Sequence, residues 1–177
     1  MQPEQDWLRV VAQQRCETCG LAASAIDKGE LPAQLRLEGV AWARLLRGTD
    51  VDALRRRPRP EVWSALEYGA HVRDVVAVFT ERIGRVLTEP QPTFGWWDHD
   101  AAVIAERYNE DRPDDVASSI EANADSLAAV LSGVPTTDWS RMGTRRDGET
   151  LTVAAFARFA LHEVRHHRYD AEASILG

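Results

Sequence analysis

The chain has 177 residues, 44% of them hydrophobic and 28% charged, with a formal net charge of -7. That length suits a single domain over residues 1–177 with a sizeable core, and the acidic balance excludes a nucleic-acid surface, which depends on clustered, uncompensated Lys and Arg. No stretch approaches the ~18 consecutive apolar residues of a membrane span, and Met1-Gln2-Pro3-Glu4-Gln5-Asp6 lacks the basic and apolar regions of a signal peptide, so a cytoplasmic protein is expected.

The first segment carries Trp7, Leu8, Val10 and Val11 and then Cys16-Glu17-Thr18-Cys19-Gly20. Two cysteines are too few for a disulfide framework. A thioredoxin-like dithiol needs a strand-to-helix junction, which nothing before Cys16 supplies, and half a zinc knuckle needs a second pair. The pair therefore reads as small, partly buried residues of a helical segment, with thiol or metal chemistry as the alternative, and is not expected to supply the principal metal ligands. A helix begins near Leu31-Pro32; Leu35, Leu37, Val40, Ala41, Leu45 and Leu46 fit its period, and Gly48-Thr49-Asp50 stops it. Leu54-Arg55-Arg56-Arg57-Pro58-Arg59-Pro60, basic on an acidic chain, reads as a solvated connection.

Ser64-Ala65-Leu66-Glu67 is a capping box that opens a second long helix running to about Leu87, with Trp63 and Tyr68 as its hydrophobic staple. Its buried face is expected to include Leu66 or Glu67, His71, Val75, Val78, Phe79 and Val86, so His71 points inward. The loop from Glu89 to Asp100, rich in Pro and aromatics, is either a staple at one end of the domain or a pocket wall, and Trp97 is its candidate substrate contact. Asp98 and Asp100 read as caps for a short helical run from Ala101 to Tyr108 rather than as metal ligands beside His99. A third long helix begins at Asp114-Asp115 after Pro113, with Val116, Ile120, Leu127, Val130 and Leu131 apolar, and ends at Gly133-Val134-Pro135. Thr136 to Glu149 is irregular, and Arg145-Arg146-Asp147-Gly148 is a turn signal for a short hairpin.

The last helix, from Thr150 or Thr152, carries the chemistry. His162 and His166 are four apart and share one face, while His167 turns roughly 100° away. A neutral imidazole binds zinc or a related ion, although a histidine at a helix end also suits the negative pole of the helix dipole. A third inward histidine on a facing helix shifts the balance, so His71, His162 and His166 are the candidate ligands of a site with positions open for water or substrate. Four long amphipathic helices with short extra helices make the fold class all-α, a helical bundle. His162-Glu163-Val164-Arg165-His166 also spells the zinc-protease H-E-x-x-H. Its extended form, however, needs a glycine and a histidine where Tyr169 and Glu172 stand, and the chain after His166 is too short to return a downstream Glu ligand.

The W-S-x-x-E-x-x-x-H from Trp63 to His71 and the H-x-x-x-H-H-x-x-D from His162 to Asp170 resemble the DinB/YfiT-like metalloenzyme superfamily. Cys16-Glu17-Thr18-Cys19-Gly20 and Arg107-Tyr108-Asn109 are similar to its actinobacterial members. The resemblance implies an up-down-down-up four-helix bundle, a three-histidine site for a divalent metal (zinc first, then nickel or iron) and a homodimer. It also implies relatives that use low-molecular-weight thiols, among them mycothiol-dependent maleylpyruvate isomerase and bacillithiol transferases. The expected function is a thiol-dependent S-transferase or isomerase, with a small-molecule thiol and an electrophile as partners. The alternatives are a non-enzymatic metal-binding dimeric bundle serving as a stress-response or binding module, and a metal-dependent hydrolase. Glu67 is the candidate base, Asp170 the acceptor that fixes the His166 tautomer, and Arg73, Arg165 and Arg168 the candidates for an anionic substrate.

Overall fold

The computed structural model of the protein describes residues 11–95, 97–145 and 148–177. The expected roles of Trp7, Leu8, Val10, Trp96, Arg146 and Asp147 lie outside the described residues. Four long helices, α1 (Leu31–Gly48), α3 (Ala65–Thr88), α5 (Pro113–Ser132) and α6 (Val153–Leu176), form an up-down-down-up bundle. Two short helices, α2 (Val51–Arg55) and α4 (His99–Ala105), lie in the connections. Around the bundle α1 packs on α5, α5 on α3, α3 on α6 and α6 on α1, so the links from α1 to α3 and from α5 to α6 cross its diagonals. With α3 and α6 antiparallel neighbours, the start of α3 meets the end of α6, and this brings His71 toward the histidine-rich turns. Among the described residues no helix is long and apolar enough to cross a membrane.

Helix α1 buries Leu31, Leu35, Glu38, Gly39, Trp42 and Leu46, steps of three or four that keep one stripe facing the core. Leu37 and Val40, expected in that stripe, are 63% and 40% exposed, because the large Trp42 ring sets the rotation. Its indole N–H donates to the Val164 carbonyl of α6 at 2.8 Å. In α3 the capping box is complete: the Ser64 hydroxyl accepts from the Glu67 amide at 3.2 Å, and the Glu67 carboxylate accepts from the Ser64 amide at 2.8 Å. Trp63 and Tyr68 pack with ring centroids 5.4 Å apart, as a staple should. Helix α5 starts with Pro113 in its first turn beside Asp114 and Asp115, and buries Val116, Ile120, Leu127 and Leu131.

The hairpin is present. Strands β1 (Met142–Thr144) and β2 (Thr150–Thr152) pair antiparallel with Met142 opposite Thr152, and the Thr152 hydroxyl then caps α6 by accepting from the Ala155 amide at 3.1 Å. Asp98 caps α4 by accepting from the Ala101 amide at 2.9 Å. The arginine-rich connection is more than a solvated linker. Arg57 donates through Nε to Glu67 at 2.7 Å and pairs with it again through Nη2, while Arg55 donates to the Asp111 carbonyl at 3.2 Å. The chain bends at Pro58 and turns at Pro60, and the guanidinium groups reach back to neighbouring elements.

Helices α1 and α5 approach closely at Gly39, where a Cβ would lie 2.9 Å from the Ala124 Cβ. Gly39→Ala is expected to destabilise by about 1–3 kcal/mol despite the better helix propensity of alanine, because neither helix backbone can yield. At Gly84 nothing lies within 4 Å of the added Cβ, so Gly84→Ala is expected to stabilise by about 0.5–1 kcal/mol. Denaturant midpoints of the two variants check both signs.

Candidate metal centre

Helix α6 carries two ladders of metal-binding side chains offset by one residue. His162 and His166 form the first, with ring centroids 5.2 Å apart and planes 27° from parallel; Glu163 and His167 form the second. One residue of offset turns a helix face by about 100°, so the ladders look in different directions. The first faces the segment that contains Cys16 and Cys19, and the second faces His71 at the start of α3.

The ligand atoms of His71, Glu163 and His167 all lie within 4.8 Å of one another. The His167 and His71 ring centroids are 4.9 Å apart and nearly perpendicular at 81°, and Glu163 Oε2 is 3.5 Å from His167 Nε2. Asp170, one turn on, lies 3.0 Å from His167 Nδ1. Trp97 stacks over His71 at 5.6 Å with planes 8° apart, and Trp63 covers it from another side at 5.2 Å. Glu163 and His167 keep 17% and 18% of their side-chain surface exposed while His71 is buried, so the cluster meets solvent on the α6 side.

Burial, reinforced by the charge on His167, holds the His71 imidazole well below its ordinary pKa and so neutral, with a lone pair to give. Its Nδ1 is buried with no hydrogen-bond partner among the described residues. Burial works against a charge on His167 too, but Asp170 and Glu163 outweigh it and push that imidazole up to about 9. Burial would raise the Glu163 carboxyl, yet the neighbouring His162 and His167 imidazoles hold it well below its usual range. Two imidazoles and a carboxylate that stays ionised are the donor set of open divalent-metal sites, and the orphaned Nδ1 of His71 fits the same reading.

The second cluster is sealed. Cys16, Cys19, His162 and His166 are all buried, with their ligand atoms within 4.8 Å of one another and Cys16 Sγ 3.4 Å from His166 Nδ1. The cysteines sit in a tight turn rather than in the expected helical segment. Its Gly20 amide donates to the Cys16 carbonyl at 2.8 Å, and Gly20 adopts φ +69°, a backbone that L side chains rarely take. Burial pushes the Cys16 thiol up, but the Cys19 amide, His162, the Cys19 side chain and the Thr18 amide together bring it below its ordinary value. Against its own burial, His162 is pushed up to about 10 by Cys19, Glu163 and Cys16.

The expected trio of His71, His162 and His166 is thus divided between the two clusters. Both ladders satisfy i,i+4 spacing, and the sequence reading chose the one with two histidines; the face beside His71 carries Glu163 in the upper rung. Asp170 comes closer to His167 than to His166, whose Nε2 is 3.4 Å away. Glu67, the candidate base, has both oxygens engaged by Arg57 and the Ser64 amide. Arg73 braces α3 through Asp74 and Asp111, each at 2.7 Å, and Arg165 and Arg168 both reach Glu38. Of the candidate substrate contacts, Trp97 alone lies against the open cluster. The residues missed by sequence reasoning are Glu163 and His167. Their signal was present in the overlap of two i,i+4 pairs on one helix, but choosing between the pairs requires the rotation of α6 against α3.

The family model of the DinB superfamily matches residues 34–171. The chain belongs to the DinB superfamily. The solved structure of YfiT from Bacillus subtilis, described as a probable metal-dependent hydrolase with an unusual four-helix bundle topology, is similar with a TM-score of 0.74 at 18% identity. The match covers 85% of this chain and 89% of that one, a likeness of fold. No curated protein matches the chain. In this DinB chain the matched segment holds all of the open cluster, whereas Cys16 and Cys19 precede it.

Arg73 braces the fold, and Arg73→Met leaves part-buried Asp74 with Tyr108 alone and removes the guanidinium from Asp111. It is expected to lower stability by about 1–3 kcal/mol while leaving metal content unchanged. Chemical denaturation and metal analysis of the same preparation check the two halves.

Proposed function

We propose that the protein is a metal-dependent enzyme centred on His71, Glu163 and His167, and that hydrolysis of a small substrate is its reaction. The observation that carries this is a convergence of donors left partly open: the ligand atoms of the three lie within 4.8 Å of one another, and Glu163 and His167 keep 17% and 18% of their side-chain surface exposed, beside a cluster whose members are all buried. A divalent ion, zinc first and nickel or iron next, supplies Lewis acidity there. The chain does the rest. His71 stays neutral and offers its lone pair, and Asp170 holds the Nδ1 proton of His167 and so directs its other nitrogen toward Glu163. Trp97 and Trp63 form an aromatic wall that limits water and favours a flat or apolar group on the substrate. YfiT, of like fold, is described as a probable metal-dependent hydrolase, and a donor set with one carboxylate suits that chemistry.

The second reading is a thiol-dependent S-transferase or isomerase of the mycothiol kind, with a small thiol and an electrophile as partners and a homodimer as the assembly. It is favoured by the motifs shared with actinobacterial members, including Arg107-Tyr108-Asn109 beside the site. Here Tyr108 hydrogen-bonds Asp74 and Asn109 accepts from the Ser64 hydroxyl at 2.7 Å, so these residues brace the first turns of α3.

His71→Ala, Glu163→Ala and His167→Ala are each expected to lose the open-site ion and to abolish turnover, read by metal analysis and by a panel of esters, amides and phosphoesters assayed with and without added thiol. Turnover without thiol supports hydrolysis, and turnover that requires thiol selects the transferase. Metal bound with no turnover in either panel would leave the non-enzymatic metal-binding module. Full metal content in all three variants would overturn the site.

A further inference from the structure

The proposed reaction centre leaves the most metal-like constellation in the molecule unused. Cys16, Cys19, His162 and His166 bring two sulfurs and two imidazole nitrogens together from positions up to 150 residues apart, and every one of the four is buried. Half of this set lies before the segment that the family model matches. We infer that these four residues form a second, closed tetrahedral site for one zinc ion, which pins the N-terminal segment to the middle of α6.

The distances suit a single ion. Bond lengths of about 2.3 Å to sulfur and 2.0–2.1 Å to nitrogen give a tetrahedral sulfur-to-nitrogen edge of about 3.5 Å. The Cys16 Sγ to His166 Nδ1 distance is 3.4 Å, and no pair among the four ligand atoms exceeds 4.8 Å. A two-iron cluster with the same donors places the sulfur pair and the nitrogen pair on different irons, which adds the iron-to-iron spacing between the pairs. The charge also suits a sealed interior: two thiolates neutralise a divalent ion, so the occupied site carries no net charge into a place without water. The turn brings the two sulfurs to the imidazole pair as well. Gly20 at φ +69° closes it, with its amide donating to the Cys16 carbonyl at 2.8 Å, and Cys16 and Cys19 both reach His162 and His166. The chief competitor is a Cys16–Cys19 redox couple. Cysteines only 4% and 2% exposed, however, give a partner thiol no path to attack.

The zinc-loaded full chain, purified under reducing conditions, tests the inference by X-ray absorption at the zinc edge, which needs no variant. Sulfur scatterers at about 2.3 Å are expected. A shell of nitrogen and oxygen alone overturns the site. In the cobalt-substituted protein a sulfur-to-metal charge-transfer band is expected. Cys16→Ser/Cys19→Ser should abolish that band and lose about one ion per chain, whereas His71→Ala/His167→Ala should keep it while losing the other ion. Retention of all metal by the cysteine variant, or a native mass lighter than the reduced chain by two hydrogens, overturns the inference. Because the two variants empty different sites, failure of the closed site and failure of the reaction centre give different results.

Discussion

The candidate centre depends on the packing of α6 against α3, antiparallel and in one rotation. That contact decides which side of α6 meets the start of α3, and so which of its side chains share space with His71. A helix rotation of about 100°, one residue step, separates His162 and His166 from Glu163 and His167 as partners of His71. Several contacts hold the rotation from outside the site. The Trp42 indole binds the Val164 carbonyl, between the two rungs, and Glu38 of α1 receives Arg165 and Arg168 from the same turns of α6. The large ring on α1 therefore serves the chemistry on α6, since it fixes the phase in which that chemistry is presented.

The two ladders show how one helix separates two kinds of environment. Residues on the side of the N-terminal segment are fully enclosed, and there soft sulfur donors keep company with imidazole. Residues one position later face the aromatic loop and keep some contact with water, and there the donors are imidazole and carboxylate. The environments touch, since His162 Nδ1 lies 3.8 Å from Glu163 Oε1 and Asp170 reaches both His166 and His167. The electrostatics of each cluster are therefore partly set by the other. Glu163 stays ionised with help from both sides, and His162 holds charge through Cys19, Glu163 and Cys16.

Much of the fold was legible in the sequence because it is carried by local chemistry. The capping box at Ser64, the proline at the start of α5, the Thr152 cap and the inward direction of His71 follow from spacing within a few residues. Elements whose place depends on distant partners were less legible. Leu37 and Val40 fit a helical period, but the ring of Trp42 outweighs them in setting the buried stripe of α1. The arginines after Leu54 resemble a solvated run because their acceptors, Glu67 and the Asp111 carbonyl, lie in other elements. The cysteine turn gave half of a ligand pattern, and its other half stands on the last helix. Which of the imidazoles of α6 meets the cysteines depends on the rotation of that helix, which spacing within the sequence does not give.

The arginine connection ahead of α3 has a consequence for how the two ends of the bundle respond to their medium. Arg57 on Glu67, Arg55 on the Asp111 carbonyl and Arg73 on Asp111 gather at the end that carries His71, where charge and hydrogen bonding hold the elements together. The opposite end of α3 is closed by Val86 and Phe94 pressing against Gly143 of the hairpin, with Arg141 donating to the Val86 and Glu89 carbonyls. Ionic strength weakens the first kind of contact where it is partly exposed and leaves the second nearly untouched. Added salt should therefore loosen the contacts around the candidate centre before it disturbs the apolar contacts of the hairpin, which makes the ionic medium a control on access to His71.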